Sequence, residues 1–109
     1  MRFEDLYETV TLGWDFGRKN YPLGPAPEED QKLRAFTLQH VTSHLAKTTG
    51  KLAAMSEPLD HGGEEPNTHE VARQVAYAII NAMRFASLCG VTPGQILYHI
   101  QDWRKENDK

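Results

Sequence analysis

Apolar residues recur every three or four positions along this chain, and nowhere do they alternate as a half-buried strand requires. Four segments carry the helical period. Phe3, Leu6, Val10 and Trp14 predict a first helix over residues 3–19, weakened by Gly13 and Gly17. A loop follows over residues 20–27, because three prolines and a glycine in that stretch cannot continue a helix. A second helix opens on Glu28, Glu29 and Asp30, where the helix dipole favours negative charge. It is predicted to stop at Glu57, since proline disfavours helical backbone in the residue before it.

Val41, Leu45, Leu52 and Met55 form the apolar stripe of that second helix. Gly50 interrupts it at a cost of about 1 kcal/mol relative to alanine, which predicts close approach by another helix or a ligand. Residues 58–67 read as a polar loop. Asn67 or Thr68 then caps a third helix running to about Cys89. From Val75 to Met83 only Asn81 is neither apolar nor aromatic. Such a helix lies centrally or is covered on one side by a partner chain. Gly90 ends it, and Thr92-Pro93 starts a fourth helix carrying Ile96, Leu97, Ile100 and Trp103. The expected fold is an all-α antiparallel bundle of about four helices.

A length of 109 residues suits one domain spanning the chain, with a modest core. The net charge of -3 argues against non-specific nucleic-acid binding, which needs a basic surface. Cys89 is the lone cysteine, so no internal disulfide forms, as suits a reducing compartment. It reads as a small buried hydrophobe near a helix end. The longest apolar run, Val75 to Ile80, falls far short of a membrane span, and the charged N-terminal residues do not form a signal peptide. A cytoplasmic protein without nucleic-acid or membrane partners is expected.

The strongest chemical pattern is His40, His44, Lys47 and Lys51, at spacings of four, three and four. At about 100° per residue these four share a narrow arc bordering the Val41/Leu45/Leu52 stripe. Two lysines there can meet a phosphate or carboxylate, and two histidines can donate hydrogen bonds or move protons. The alternative is a solvated face whose lysine stems cover apolar surface. His40 and His44 supply only two of the three or more ligands that zinc needs, with Asp60, His61 and His69 more remote, so no metal is assigned. Asp60-His61-Gly62-Gly63 reads as a mobile active-site loop or as a plain surface turn. Asn81 needs partners if buried, either from a ligand or from neighbouring helices, and Arg84 one turn on could join it.

Lys47-Thr-Thr-Gly-Lys-Leu52, followed by an apolar third helix ending Leu88-Cys-Gly-Val-Thr-Pro93, resembles the MazG-like family of all-α nucleotide pyrophosphohydrolases. The resemblance covers roughly residues 30–100. It implies a dimer or tetramer that hydrolyses nucleoside triphosphates to a monophosphate and pyrophosphate, with magnesium held by an E-E-x-x-E pattern on one helix and E-x-x-D on the next. Aligned on Gly50, those acids fall on Lys47, Thr48 and Lys51; aligned on Gly90, they fall on Gln74 and Tyr77. None is acidic, so magnesium is not expected by the family's usual ligands. Three readings follow. The first is a protein binding a nucleotide or other phosphate-bearing ligand in a cationic groove, at His40, His44, Lys47, Lys51, Asp60, His61, Asn81 and Arg84. The second is an active pyrophosphohydrolase or phosphohydrolase using histidine and lysine chemistry. The third is a non-catalytic oligomerisation or interaction module.

Overall fold

A computed structural model describes residues 1–12 and 30–107, the side chains of residues 30 and 31 aside. It contains four α-helices: α1 Phe3–Thr11, α2 Asp30–Asp60, α3 Thr68–Leu88 and α4 Pro93–Asn107. No strand occurs among the described residues. The all-helical prediction therefore holds.

α1 is shorter than the periodicity predicts. Thr9, Val10 and Thr11 form a β-branched run with low helix propensity, and Leu12 leaves the helix in an extended conformation with ψ 131°. The hydroxyls of Thr9 and Thr11 turn back onto the carbonyls of Asp5 and Tyr7, both at 2.7 Å. The part of the predicted helix beyond Leu12, including Trp14, and the loop over 20–27 lie outside the described residues.

α2 passes through Pro58 and ends at Asp60, three residues beyond the predicted stop. Pro58 has no N–H to donate, and the final turn is closed by the residues after it. His61 N–H donates to the Pro58 carbonyl at 3.1 Å, and Gly62 N–H to the Leu59 carbonyl at 3.1 Å. Gly62 takes φ +76°, the left-handed conformation that ends helices at little cost for glycine. Gly50 meets no close approach among the described residues: a Cβ there would find nothing within 4 Å, contrary to the expectation that another helix packs against it.

The turns around α3 follow the sequence closely. Asn67 Oδ1 accepts the Glu70 N–H at 3.1 Å, capping the first turn. Gly90 at φ +73° ends the helix, and Val91 N–H donates to the Ala86 carbonyl at 2.9 Å. Thr92 and Gln95 cap α4 reciprocally, through Gln95 N–H to Thr92 Oγ1 at 3.2 Å and Thr92 N–H to Gln95 Oε1 at 2.8 Å. Cys89 caps the C-terminus of α3 and is exposed rather than buried, because the helix ends before its side chain can turn inward.

α2 and α3 form the principal pair, α1 lies against α3, and α4 rests on α1. The short connection at 61–67 returns α3 alongside α2. Val41 and Met83 are buried, with Leu45, Leu52 and Ile80 half-buried around them. Tyr7 is buried too, and its hydroxyl donates to the Val91 carbonyl, fixing α1 to the α3–α4 turn. α4 meets α3 at a bend of 119° and buries none of its residues fully. The bundle thus closes over α1–α3, while Tyr98, Ile100 and Trp103 stand exposed. No single helix among the described residues is long and apolar enough to cross a membrane.

Candidate functional site

Between α2 and α3 lies a cleft of about 400 Å³. That volume lies within the range of small-molecule sites, about 300–1,000 Å³. α2 supplies His40, Val41, His44, Lys47, Thr48 and Lys51; α3 supplies Gln74, Tyr77, Ile80, Asn81 and Arg84. The 3–4 spacing along each helix puts these side chains on facing arcs. Of the eight residues singled out from sequence, six meet here: His40, His44, Lys47, Lys51, Asn81 and Arg84. Asp60 and His61 do not. They are exposed in the turn that closes α2, well beyond the last cleft residue of that helix. Gly63 packs that turn tightly, its N–H donating to the Pro58 carbonyl at 2.6 Å.

The cleft's charge is one-sided. Lys47, Lys51 and Arg84 line it, and no aspartate or glutamate does among the described residues. Lys47 and Lys51 are exposed and enter no hydrogen bond or ion pair among the described residues. Arg84 is half-buried and tied down, its Nε donating to the Val10 carbonyl at 2.9 Å. It therefore joins α1 to α3 while presenting positive charge at the cleft. Lys47 and Lys51, one helical turn apart, repel one another unless an anion sits between them.

His40 and His44 form an imidazole pair, with Nε2 to Nε2 at 3.0 Å and rings edge to face at 78°. One ring must donate and the other accept, so at least one is neutral. Phe36 stacks on the far side of His40, with ring centroids 6.3 Å apart. Burial, and then the neighbouring His44, hold the His40 pKa below the ordinary histidine value. Among the described residues no three His, Cys, Asp or Glu side chains gather as a metal site would require.

Asn81 is half-buried and partly satisfied within its own helix, its Nδ2 donating to the Tyr77 carbonyl at 2.8 Å. Tyr77 is held from outside by Arg73, whose Nε donates to its hydroxyl at 3.1 Å and whose guanidinium lies 5.6 Å from the ring centroid. Thr48 is buried, with its hydroxyl donating to the His44 carbonyl at 3.0 Å.

The residue missed from sequence is Gln74. Only 4% of it is exposed, it lines the cleft, and its Oε1 is buried with no hydrogen-bond partner among the described residues. Its signal was its position between Val71 and Ala78, at the inward 3–4 spacing of α3, where a polar side chain is out of place.

No protein-family model matches this chain, and neither a curated protein nor a solved structure matches it. The chemistry of the cleft itself must carry the functional argument.

Proposed function

We propose that this is a MazG-like helical protein that binds a nucleotide or another phosphate-bearing ligand in the α2–α3 cleft, without the magnesium acids of that family. The observation that carries the reading is the pair of exposed lysines, Lys47 and Lys51, standing beside two imidazoles with no carboxylate lining the cleft among the described residues. A phosphate group supplies negative charge opposite these lysines and several strong acceptor oxygens. Support for the MazG-like register comes from geometry. Lys47, Thr48 and Lys51, and Gln74 and Tyr77, are the positions where that register puts the acids, and all five line this one cleft.

Magnesium itself does not fit. Hard cations take oxygen ligands, chiefly carboxylates, and this lining opposes them with two ammonium groups and a guanidinium. Lys47 and Lys51 instead meet the phosphate directly as point charges. Titration calorimetry of the full chain with pyrophosphate and with ATP, each with and without magnesium, tests this. Binding that needs no metal and weakens in Lys47→Ala and Lys51→Ala is expected. Absence of heat with either ligand under both conditions rules the reading out.

The His40–His44 pair favours a second reading, an active phosphohydrolase or pyrophosphohydrolase. A hydrogen-bonded imidazole pair beside a bound phosphate can deliver or accept a proton while the lysines neutralise developing charge. Its signature is nucleotide turnover that disappears in His44→Ala; an inactive wild-type protein across a broad substrate screen removes it. A third reading, a homo-oligomeric or interaction module, draws on Val75, Ile79 and Phe85, which α3 leaves exposed. Light scattering that finds only monomer at high concentration removes that one.

A further inference from the structure

A buried side-chain amide is normally hydrogen-bonded, because leaving one of its atoms unpaired costs about 1–3 kcal/mol. Gln74 breaks this rule. It sits on the inward face of α3, is 4% exposed, and its Oε1 finds no partner among the described residues. Valine, leucine or methionine would pack that position without the cost, so the fold gains nothing from an amide there. Gln74 also lines the cleft that Lys47, Lys51 and Arg84 make cationic. The cations account for an anion, but they give no reason for a neutral amide.

An amide offers one acceptor and two donors side by side. Its terminal torsion is soft, so a turn about the last side-chain bond brings either atom toward the cleft. The natural complement is a neighbouring donor and acceptor on a planar group, the arrangement by which glutamine and asparagine pair with an adenine edge.

We propose that Gln74 is the specificity residue of the cleft, its amide pairing with an adjacent N–H donor and acceptor on the organic portion of a phosphate-bearing ligand. This rests on the phosphate-binding reading and narrows it. Lys47 and Lys51 supply affinity for the anion, and Gln74 distinguishes what the anion is attached to. Bare phosphates and phosphorylated groups without such an edge leave the amide unpaired.

The test is calorimetry on the full chain with two matched pairs. AMP is compared with purine riboside 5′-monophosphate, and CMP with the analogue carrying hydrogen in place of its exocyclic amino group. At least one amino-bearing nucleotide should bind about tenfold more tightly than its counterpart, the size of one hydrogen bond gained or lost at a buried polar group. In Gln74→Met that preference should vanish, with both members of the pair binding at the weaker level. The same variant should unfold at no lower temperature than wild type without ligand, since an orphaned amide has been removed. A Gln74 that served only packing would shift stability and leave the preference intact. The wild-type comparison decides even if the variant does not fold. Equal binding within both pairs, with affinity still lost in Lys47→Ala, overturns the role of Gln74 and leaves phosphate binding standing. No binding of any of the four overturns both.

Discussion

Two faces of α3 differ sharply in what they ask of their surroundings. One meets α2 across the cleft, where Gln74, Tyr77, Asn81 and Arg84 stand among the apolar residues. The other meets α1 and α4 across a second hollow of about 420 Å³, lined by Phe3, Leu6, Ile79, Ala82, Met83, Ala86 and Ile96. No polar side chain lines that hollow among the described residues, so it gains stability from burying apolar area. The α2–α3 cleft holds like charges and an unpaired amide, arrangements that weaken a fold unless something else is bound. The contrast teaches that one helix can serve packing on one side and recognition on the other, and that substitutions on the two sides should separate into two classes of effect.

Changes on the packing side should have the largest effect on stability. Met83 is buried and borders the apolar hollow. Met83→Ala should cost about 2–5 kcal/mol of unfolding free energy, read by chemical denaturation, while pyrophosphate affinity of the folded protein changes little. An affinity loss as large as the stability loss would erase the distinction between the two faces. The recognition side should behave in the opposite way. Lys47→Ala combined with Lys51→Ala should weaken pyrophosphate binding by about thirtyfold, taking about 1 kcal/mol for each exposed charge. Its unfolding free energy should stay within about 0.5 kcal/mol of wild type, as for exposed residues that enter no other interaction.

A smaller effect distinguishes the cap of α3 from both faces. Asn67→Ala removes the side chain that accepts the Glu70 N–H and should cost about 1 kcal/mol, without change in ligand affinity. The smallest concerns pH. His40 has its pKa depressed in the folded chain, so the fold binds its proton less readily than the unfolded chain does. No penalty exists above the ordinary value of 6.5, and one develops as pH falls through 6.5 toward the lower folded-state pKa. Stability should therefore decline slightly over that range, and His40→Gln should flatten the decline. The cations lining the cleft with it, Lys47 and Lys51 on α2 and Arg84 on α3, oppose the added proton.

Much of this organisation was legible in the sequence, because it rests on local rules. The 3–4 spacing of His40, His44, Lys47 and Lys51 beside Val41 and Leu45 fixes where those side chains point, whatever α2 packs against. Asn67, Gly90 and Thr92-Pro93 mark helix ends through backbone hydrogen bonds made within a few residues. Where pairing is non-local, the sequence was weaker. Nothing near Gly50 indicates that no helix approaches it, and nothing near Cys89 says that its helix stops with the thiol facing solvent. The end of α1 at Thr11 turned on a β-branched run that outweighed the apolar period continuing toward Trp14. Pro58 predicts a stop at Glu57, yet α2 closes its last turn through His61 and Gly62. Asp60 and His61 looked chemical by residue type and proved to belong to that closing turn. Gln74 was the reverse, noted in the sequence only as a position where the resembled family carries an acid, and its burial without a partner exists only once α2 and α3 meet.

The most direct measurement is a residue-by-residue NMR titration of the full chain with pyrophosphate in the absence of divalent metal. Amide shifts should move along residues 40–51 of α2 and 74–84 of α3, with the largest changes near Lys47 and Lys51, while the exposed half of α4 stays still. A spectrum that does not respond, or responses confined to α4 or to the Asp60–Gly63 turn, would contradict the assignment of the α2–α3 cleft as the place where this protein meets its ligand.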